Sequence, residues 1–243
     1  MELKDQVALI TGGTAGIGLE TARLFVREGA SVVIAGRNPE RGAKAVAELA
    51  DGPGSARFAA ADLGDLEDVR RLAEDAGPVD ILVNNASLFP VATTVDQDVE
   101  TFQRLFDTNV RGTFFLTAAL APAMLAKGAG SIVNVSTMAA VMGVPGASVY
   151  SATKAALASF TRTWAAEFSP SGVRVNSVAP GPTLTDGVVV EWGDGVAELG
   201  KSIPLRRTAG PAEIAESILF LASARSSFVT GANLAADGGA TAI

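Results

Sequence analysis

The chain contains a single tyrosine, Tyr150, and a lysine follows it four residues later in YSATK. The continuation ATKAALASFTRTWAAEF has helical periodicity, so Tyr150 and Lys154 should project from one helix face about one turn apart. A free phenol titrates near 10, too high for an efficient base at neutral pH. A nearby ammonium favours the phenolate and lowers that value. Upstream, Ser136 and Thr137 end the apolar run IVNVST and offer hydroxyls that could hold a polar substrate atom. Asn109 in DTNVRG could equally be a mid-helix amide bonding backbone or part of the same site. The chain has no cysteine and no histidine. That excludes thiolate nucleophiles, zinc–thiolate centres, histidine-based triads and histidine-ligated metals. Acid–base chemistry near neutral pH therefore falls to a shifted carboxylate, lysine or tyrosine.

Such groups need a scaffold, and the hydrophobic pattern supplies one. Short β-branched runs at Val7 to Thr11, Ser31 to Ala35, Ala56 to Ala60, Ile81 to Asn84, Ser131 to Val135 and Val173 to Val178 alternate with helical stretches. A weaker run lies near Asn233 to Ala235. Segments such as LETARLFVREG and AEIAESILFLAS place apolar residues at i, i+3 and i+4, and Gly29 and Gly128 stand where helices end. The strands read as continuous apolar runs, as in a parallel sheet covered on both faces. The expected fold is α/β: one domain, a doubly wound parallel sheet (Rossmann) of about seven strands with helices on both faces. The rhythm fails only over residues 182–207, which read as a loop.

The first strand runs into TGGTAGIG, Thr11 to Gly18, and then into a helix. Gly12, Gly16 and Gly18 let the backbone turn tightly and approach a pyrophosphate, which the helix amides would then face. The spacing is GxxxGxG rather than the general GxGxxG; a glycine-rich turn without a ligand is the alternative.

TGGTAGIG, then NNA at Asn84 to Ala86, then YSATK, then Pro180-Gly181, occur in the order and at the separations that resemble the short-chain dehydrogenase/reductase family, including its 3-oxoacyl-carrier-protein-reductase-like members. The resemblance runs across nearly the whole chain. It implies a nicotinamide cofactor bound through Gly12, Thr14, Ala15, Gly16, Ile17 and Gly18, with Asp62 and Leu63 at the adenine and Asn85 and Ala86 beside the loop. Ser87 stands where the family has a glycine. Pro180, Gly181, Thr183 and Thr185 would close over the carboxamide. An NAD-type site usually carries an acidic residue at the end of the second strand; here Gly36 is followed by Arg37 and Asn38. A guanidinium there suits a 2′-phosphate, so NADP(H) is preferred and NAD(H) remains possible; a solvated surface arginine is the alternative. By the same resemblance Tyr150 transfers the proton, aided by the charge of the oxidised nicotinamide. Lys154 also bonds the nicotinamide ribose, and Asn109 holds a water linking the lysine to solvent. The family's substrate-holding serine most often lies thirteen residues before the tyrosine, which here is Thr137; Ser136, through a shifted loop, is the alternative. Threonine keeps the donor and acceptor but adds a methyl and stiffens χ1.

The expected activity is interconversion of a ketone or aldehyde with the matching alcohol. The alternative is a catalytically silent dinucleotide sensor. GVAELGKS, Gly195 to Ser202, fits the P-loop pattern, but Pro204 follows two residues later and would break the helix that pattern requires. Arg206 and Arg207 beside the loop leave an anionic acyl-carrier substrate open, whereas Trp192, Val188 to Val190 and Leu199 suggest an apolar one. A net charge of −7 argues against nucleic acid or an anionic membrane as partner. No secretory signal or spanning stretch is legible, so a cytoplasmic location is expected. The C-terminal TGANLAADGGATAI resembles the family's interface strand and implies a homotetramer.

Overall fold

The computed structural model describes residues 1–193 and 195–242. Asp194, within the stretch read as a loop, and Ile243, the last residue of the interface segment, lie outside the described residues. Seven parallel strands form one sheet: β1 (Val7–Thr11), β2 (Ser31–Gly36), β3 (Ser55–Ala60), β4 (Ile81–Asn84), β5 (Gly130–Val135), β6 (Val173–Pro180) and β7 (Asn233–Ala236), in the order β3-β2-β1-β4-β5-β6-β7. Every strand expected from the sequence is present, within two residues at each end.

The continuous apolar runs have a simple cause in the inner strands, whose alternate residues are buried against opposite layers. Ala8, Ile10, Val32, Ile34, Ile81, Val83, Val133 and Val135 face one core, with Phe25 and Val26 of α1 (Gly16–Arg27) and Ile214 and Ile218 of a late helix, Pro211–Ala222. Leu9, Val33, Leu82, Ile132 and Val175 face the other. There they meet Val69 and Leu72 of the helix Leu66–Ala76, Leu116 and Leu120 of the helix Thr113–Lys127, and Trp164 of the helix Ser148–Phe168. In chain order the helices are α1, α2 (Pro39–Glu48), α3 (Leu66–Ala76), α4 (Val99–Phe106), α5 (Thr113–Lys127), α6 (Ser148–Phe168), α7 (Asp186–Trp192), α8 (Gly195–Ser202) and α9 (Pro211–Ala222). Gly128 ends α5 in the left-handed region at φ 73°, a conformation open to a residue without Cβ.

Two features position the site. The strand order reverses between β1 and β4, which opens a crevice at the carboxyl ends of those strands. The stretch 182–207 is not one irregular loop but contains α7 and α8, and Thr185 caps α7 by accepting from Val188 N at 3.2 Å. The P-loop-like GVAELGKS is α8 itself, preceded by a helix rather than a strand. Its Lys201 is tied to Glu198 at 2.6 Å. No helix among the described residues is long and apolar enough to cross a membrane.

Candidate active site

β1 delivers Thr11 to the crevice, and the chain turns through Gly12, at φ +66°, into α1. A Cβ on Gly18 would lie 2.3 Å from Gly12 O and 2.5 Å from Asn85 Nδ2, so only bare backbone fits there. Thr11 Oγ1 donates to Val83 O at 3.3 Å and accepts from Asn85 N and Ala86 N, each at 3.0 Å. Asn85 Nδ2 returns donors to Thr11 O and Gly12 O at 2.9 and 3.2 Å. The ends of β1 and β4 are thus laced together beneath the loop. Asn85 serves as this lace, and Thr11, which the sequence reading passed over as the end of a strand, is its centre. Ser87 Oγ, at the position expected to be glycine, is turned onto Leu88 O at 3.2 Å.

The entrance to α1 is left open. Its N-cap Ala15 offers no side-chain bond, and its first turn carries no acid. By contrast, Asn38, Asp65 and Asp98 cap α2, α3 and α4. An uncapped helix start at the switch point suits an anionic group. Thr185 covers it from above, 3.1 Å from where a Gly16 Cβ would stand. Gly36 ends β2 beneath Thr14, whose Cγ2 would lie 3.1 Å from a Cβ at that position. A longer residue at 36 therefore has little room, and exposed Arg37 takes the end of the strand. Asn38 Oδ1 is engaged as a helix cap on Arg41 N at 2.9 Å, which leaves a cofactor its amide alone. Asp62 accepts from Gly64 N at 2.8 Å, and Leu63 is buried behind it. Pro180 and Gly181 leave β6 against Ala236 and Asp237, and Thr183 Oγ1 bonds Gly181 O at 3.0 Å. Free helix amides, glycine backbone and a strand-end guanidinium together make a donor set that fits an anionic dinucleotide.

Tyr150, Lys154 and Thr137 converge on the far side of the crevice. Tyr150 and Lys154 lie on one face of α6, the ammonium 5.9 Å from the phenol ring centroid. Lys154 Nζ is buried and donates to Val135 O at 2.7 Å. Thr137 is the hydroxyl near enough to the Tyr150 phenol to draw its pKa down, whereas Ser136 Oγ is turned away onto Lys154 O at 3.3 Å. Of the two candidate hydroxyls, Thr137 is the one that meets the phenol. The expected effect of the lysine on the tyrosine is not what this geometry gives. Burial pushes the Tyr150 phenol up to about 12, and the Thr137 hydrogen bond pulls it only partly back. Burial also lowers the Lys154 ammonium to about 7. Both charged forms lose water, and the ammonium faces a carbonyl of β5 rather than the phenol oxygen.

Asn109 lies in a π-helical segment, Asp107–Gly112, between α4 and α5. It is wholly buried, and its side chain makes no direct hydrogen bond to Lys154. Instead its Oδ1 accepts from Leu88 N at 2.8 Å, while its Nδ2 donates to Leu88 O at 2.8 Å and to Thr153 Oγ1 at 3.1 Å. Thr153 Oγ1 in turn donates to Tyr150 O at 2.7 Å. Thr153 and Phe89 are the other residues the sequence reading missed. Phe89 stands edge-on to Tyr150 at 6.4 Å, and Gly187 of α7 sits against it. Thr153 lies inside YSATK, so its place between two named residues was the available signal; Phe89 had none.

Known proteins resemble the chain in sequence and in fold. A family model described as enoyl-(acyl carrier protein) reductase matches residues 12–241. Cyclopentanol dehydrogenase of Comamonas sp. (strain NCIMB 9872) is 37% identical over 247 residues, covering 99% of this chain and 98% of that one. A solved short-chain dehydrogenase/reductase family protein superposes with TM-score 0.95 at 60% identity, with 100% of each chain covered. A Beutenbergia cavernae structure with NADP bound at low occupancy is 34% identical, TM-score 0.94, over 100% of this chain and 99% of that one. Likeness of this extent, in sequence and in fold alike, makes the chain a member of the short-chain dehydrogenase/reductase family.

Proposed function

We propose that the chain is an NADP(H)-dependent oxidoreductase, built as one domain, that interconverts a ketone or aldehyde and an alcohol. The observation that carries the reading is the placement of Tyr150 and Lys154 on one face of α6, the ammonium 5.9 Å from the phenol ring centroid. When bound, a nicotinamide supplies or accepts the hydride. Tyr150 gives a proton to the substrate oxygen, or takes one from it, and Thr137 holds that oxygen by a second hydrogen bond. Lys154 fixes the α6 face through Val135 O and would bond the nicotinamide ribose. Asn109, through Thr153, holds the turn of α6 that presents Tyr150. Gly12 to Gly18, Asn85 and Ala86 would hold the diphosphate end of the cofactor, and Arg37 its 2′-phosphate. Pro180 to Thr185 would cover the nicotinamide end. The relative bearing bound NADP supports the cofactor class.

Fluorescence titration with NADPH and NADH tests the cofactor choice. A charged hydrogen bond contributes roughly 1.5–3 kcal/mol, so NADPH should bind at least about ten times tighter, and Arg37→Ala should erase the difference. Equal affinities in the unaltered protein would make Arg37 a surface charge. Binding of neither would contradict both the oxidoreductase reading and the silent dinucleotide sensor.

A further inference from the structure

The inference concerns the substrate and rests on the oxidoreductase reading above. A cavity of about 290 Å³ is lined by Met138, Met142, Leu199, Ser202, Ile203 and Ala240, and Met138 is its link to the site. Its floor is the buried cluster of Met138, Ile203 and Ala240, with Leu199 packed on it. Met138 follows Thr137 directly, and Thr137 Oγ1 pins the turn between them by accepting from Ala139 N at 3.3 Å. The wall of the cavity is therefore rigidly joined to the hydroxyl that meets Tyr150. The lining offers a substrate almost nothing polar. Its one hydroxyl, Ser202 Oγ, already donates to Leu199 O at 2.8 Å.

The surroundings offer little grip for an anion. Over residues 182–207 there are four acidic and three basic residues. Lys201 is held by Glu198 at 2.6 Å, and Arg207 by both carboxylate oxygens of Glu213 at 2.7 and 2.8 Å. Arg206 is exposed, but one cation amid this acidic balance makes no basic patch. An acidic carrier protein or a coenzyme A tail would meet net repulsion. The volume also stands at the lower end of ligand pockets, roughly 300–1,000 Å³.

We propose that this cavity receives the larger group of the substrate, and that the substrate is a small uncharged ketone or secondary alcohol with a compact aliphatic or alicyclic body. Carrier-bound acyl thioesters are not its substrates.

The test is steady-state NADPH oxidation by the whole protein with cyclohexanone, acetoacetate and acetoacetyl-coenzyme A. Cyclohexanone should give a kcat/KM at least about tenfold above either anion, the range a hydrophobic pocket provides. If an anion is preferred, the substrate inference falls while the oxidoreductase reading stands. If none of the three, nor cyclohexanol with NADP⁺, turns over, both fall. Met142 is partly exposed at the cavity rim, so Met142→Asp should fold. It should raise the KM for cyclohexanone at least tenfold, and Met142→Leu should stay near the starting value. An unchanged KM in Met142→Asp would place the substrate elsewhere.

Discussion

Lys154 is a buried cation in a pocket that lowers its pKa from 10.5 to about 7, and burial is the cause. Between those values the unfolded chain binds a proton that the folded chain has released. Folding stability from this group therefore rises with pH across roughly 7 to 10.5 and is poorest below 7. At 1.36 kcal/mol for each pH unit the full effect is roughly 5 kcal/mol. Lys154→Met removes that slope, so denaturant melts at pH 6 should show the variant more stable, with the gap closing towards pH 9.5. Parallel curves would contradict the buried-cation account; Tyr150, shifted to about 12, adds its opposite slope only above pH 10. Thr153 permits a second prediction at this scale. Thr153→Val keeps the shape but severs the bonds to Asn109 and Tyr150 O, so kcat should fall about tenfold with the NADPH affinity unchanged. Thr153→Ser should restore it. The Tyr150–Lys154 pair was legible because two reactive types share a helical spacing, and Thr137 only through the family resemblance, which implies a hydroxyl thirteen residues before the tyrosine. The pKa directions were not, because burial depends on neighbours remote in sequence.

At the scale of elements, the lacing of β1 to β4 is what holds the glycine loop open. Thr11→Val preserves volume but leaves Asn85 N and Ala86 N without their acceptor, at about 1–3 kcal/mol for each buried group. Chemical denaturation should show a loss of about 2 kcal/mol or more, and NADPH should bind more weakly; an unchanged midpoint would mean that the loop is held otherwise. The inner strands were legible because their apolar runs exceed what an exposed element could bear, whereas the half-exposed edge strands β3 and β7 follow from the strand–helix alternation. The helix α7 was not, since Val188, Val189 and Val190 disfavour helix by intrinsic propensity. The Thr185 cap and the packing of Gly187 on Phe89 go with a helix that the local sequence does not favour. The π-helical turn around Asn109 was equally hidden, since no residue pattern distinguishes it from an ordinary helix.

For the molecule as a whole, the surface carries a cluster of aromatic rings that a lone chain would leave wet. Phe114 stacks edge-on with Phe115 and Phe160, Trp164 lies beside them, and Phe114 and Phe115 are 37% and 48% exposed. Such a patch suits an interface between copies, and β7 leaves a second edge at the end of the sheet. Light scattering at micromolar concentration should give a homotetramer, about four times the 24.6 kDa chain; a monomer would contradict this. The central claim, however, is that Tyr150 moves the proton. Stopped-flow oxidation of bound NADPH by cyclohexanone tests it most directly, in the unaltered protein and in Tyr150→Phe. General acid catalysis contributes about 10²–10⁴-fold. The variant should bind NADPH within about threefold of the original and react at least about 10³-fold more slowly. A variant that binds NADPH normally and reacts within tenfold of the original rate would contradict the account.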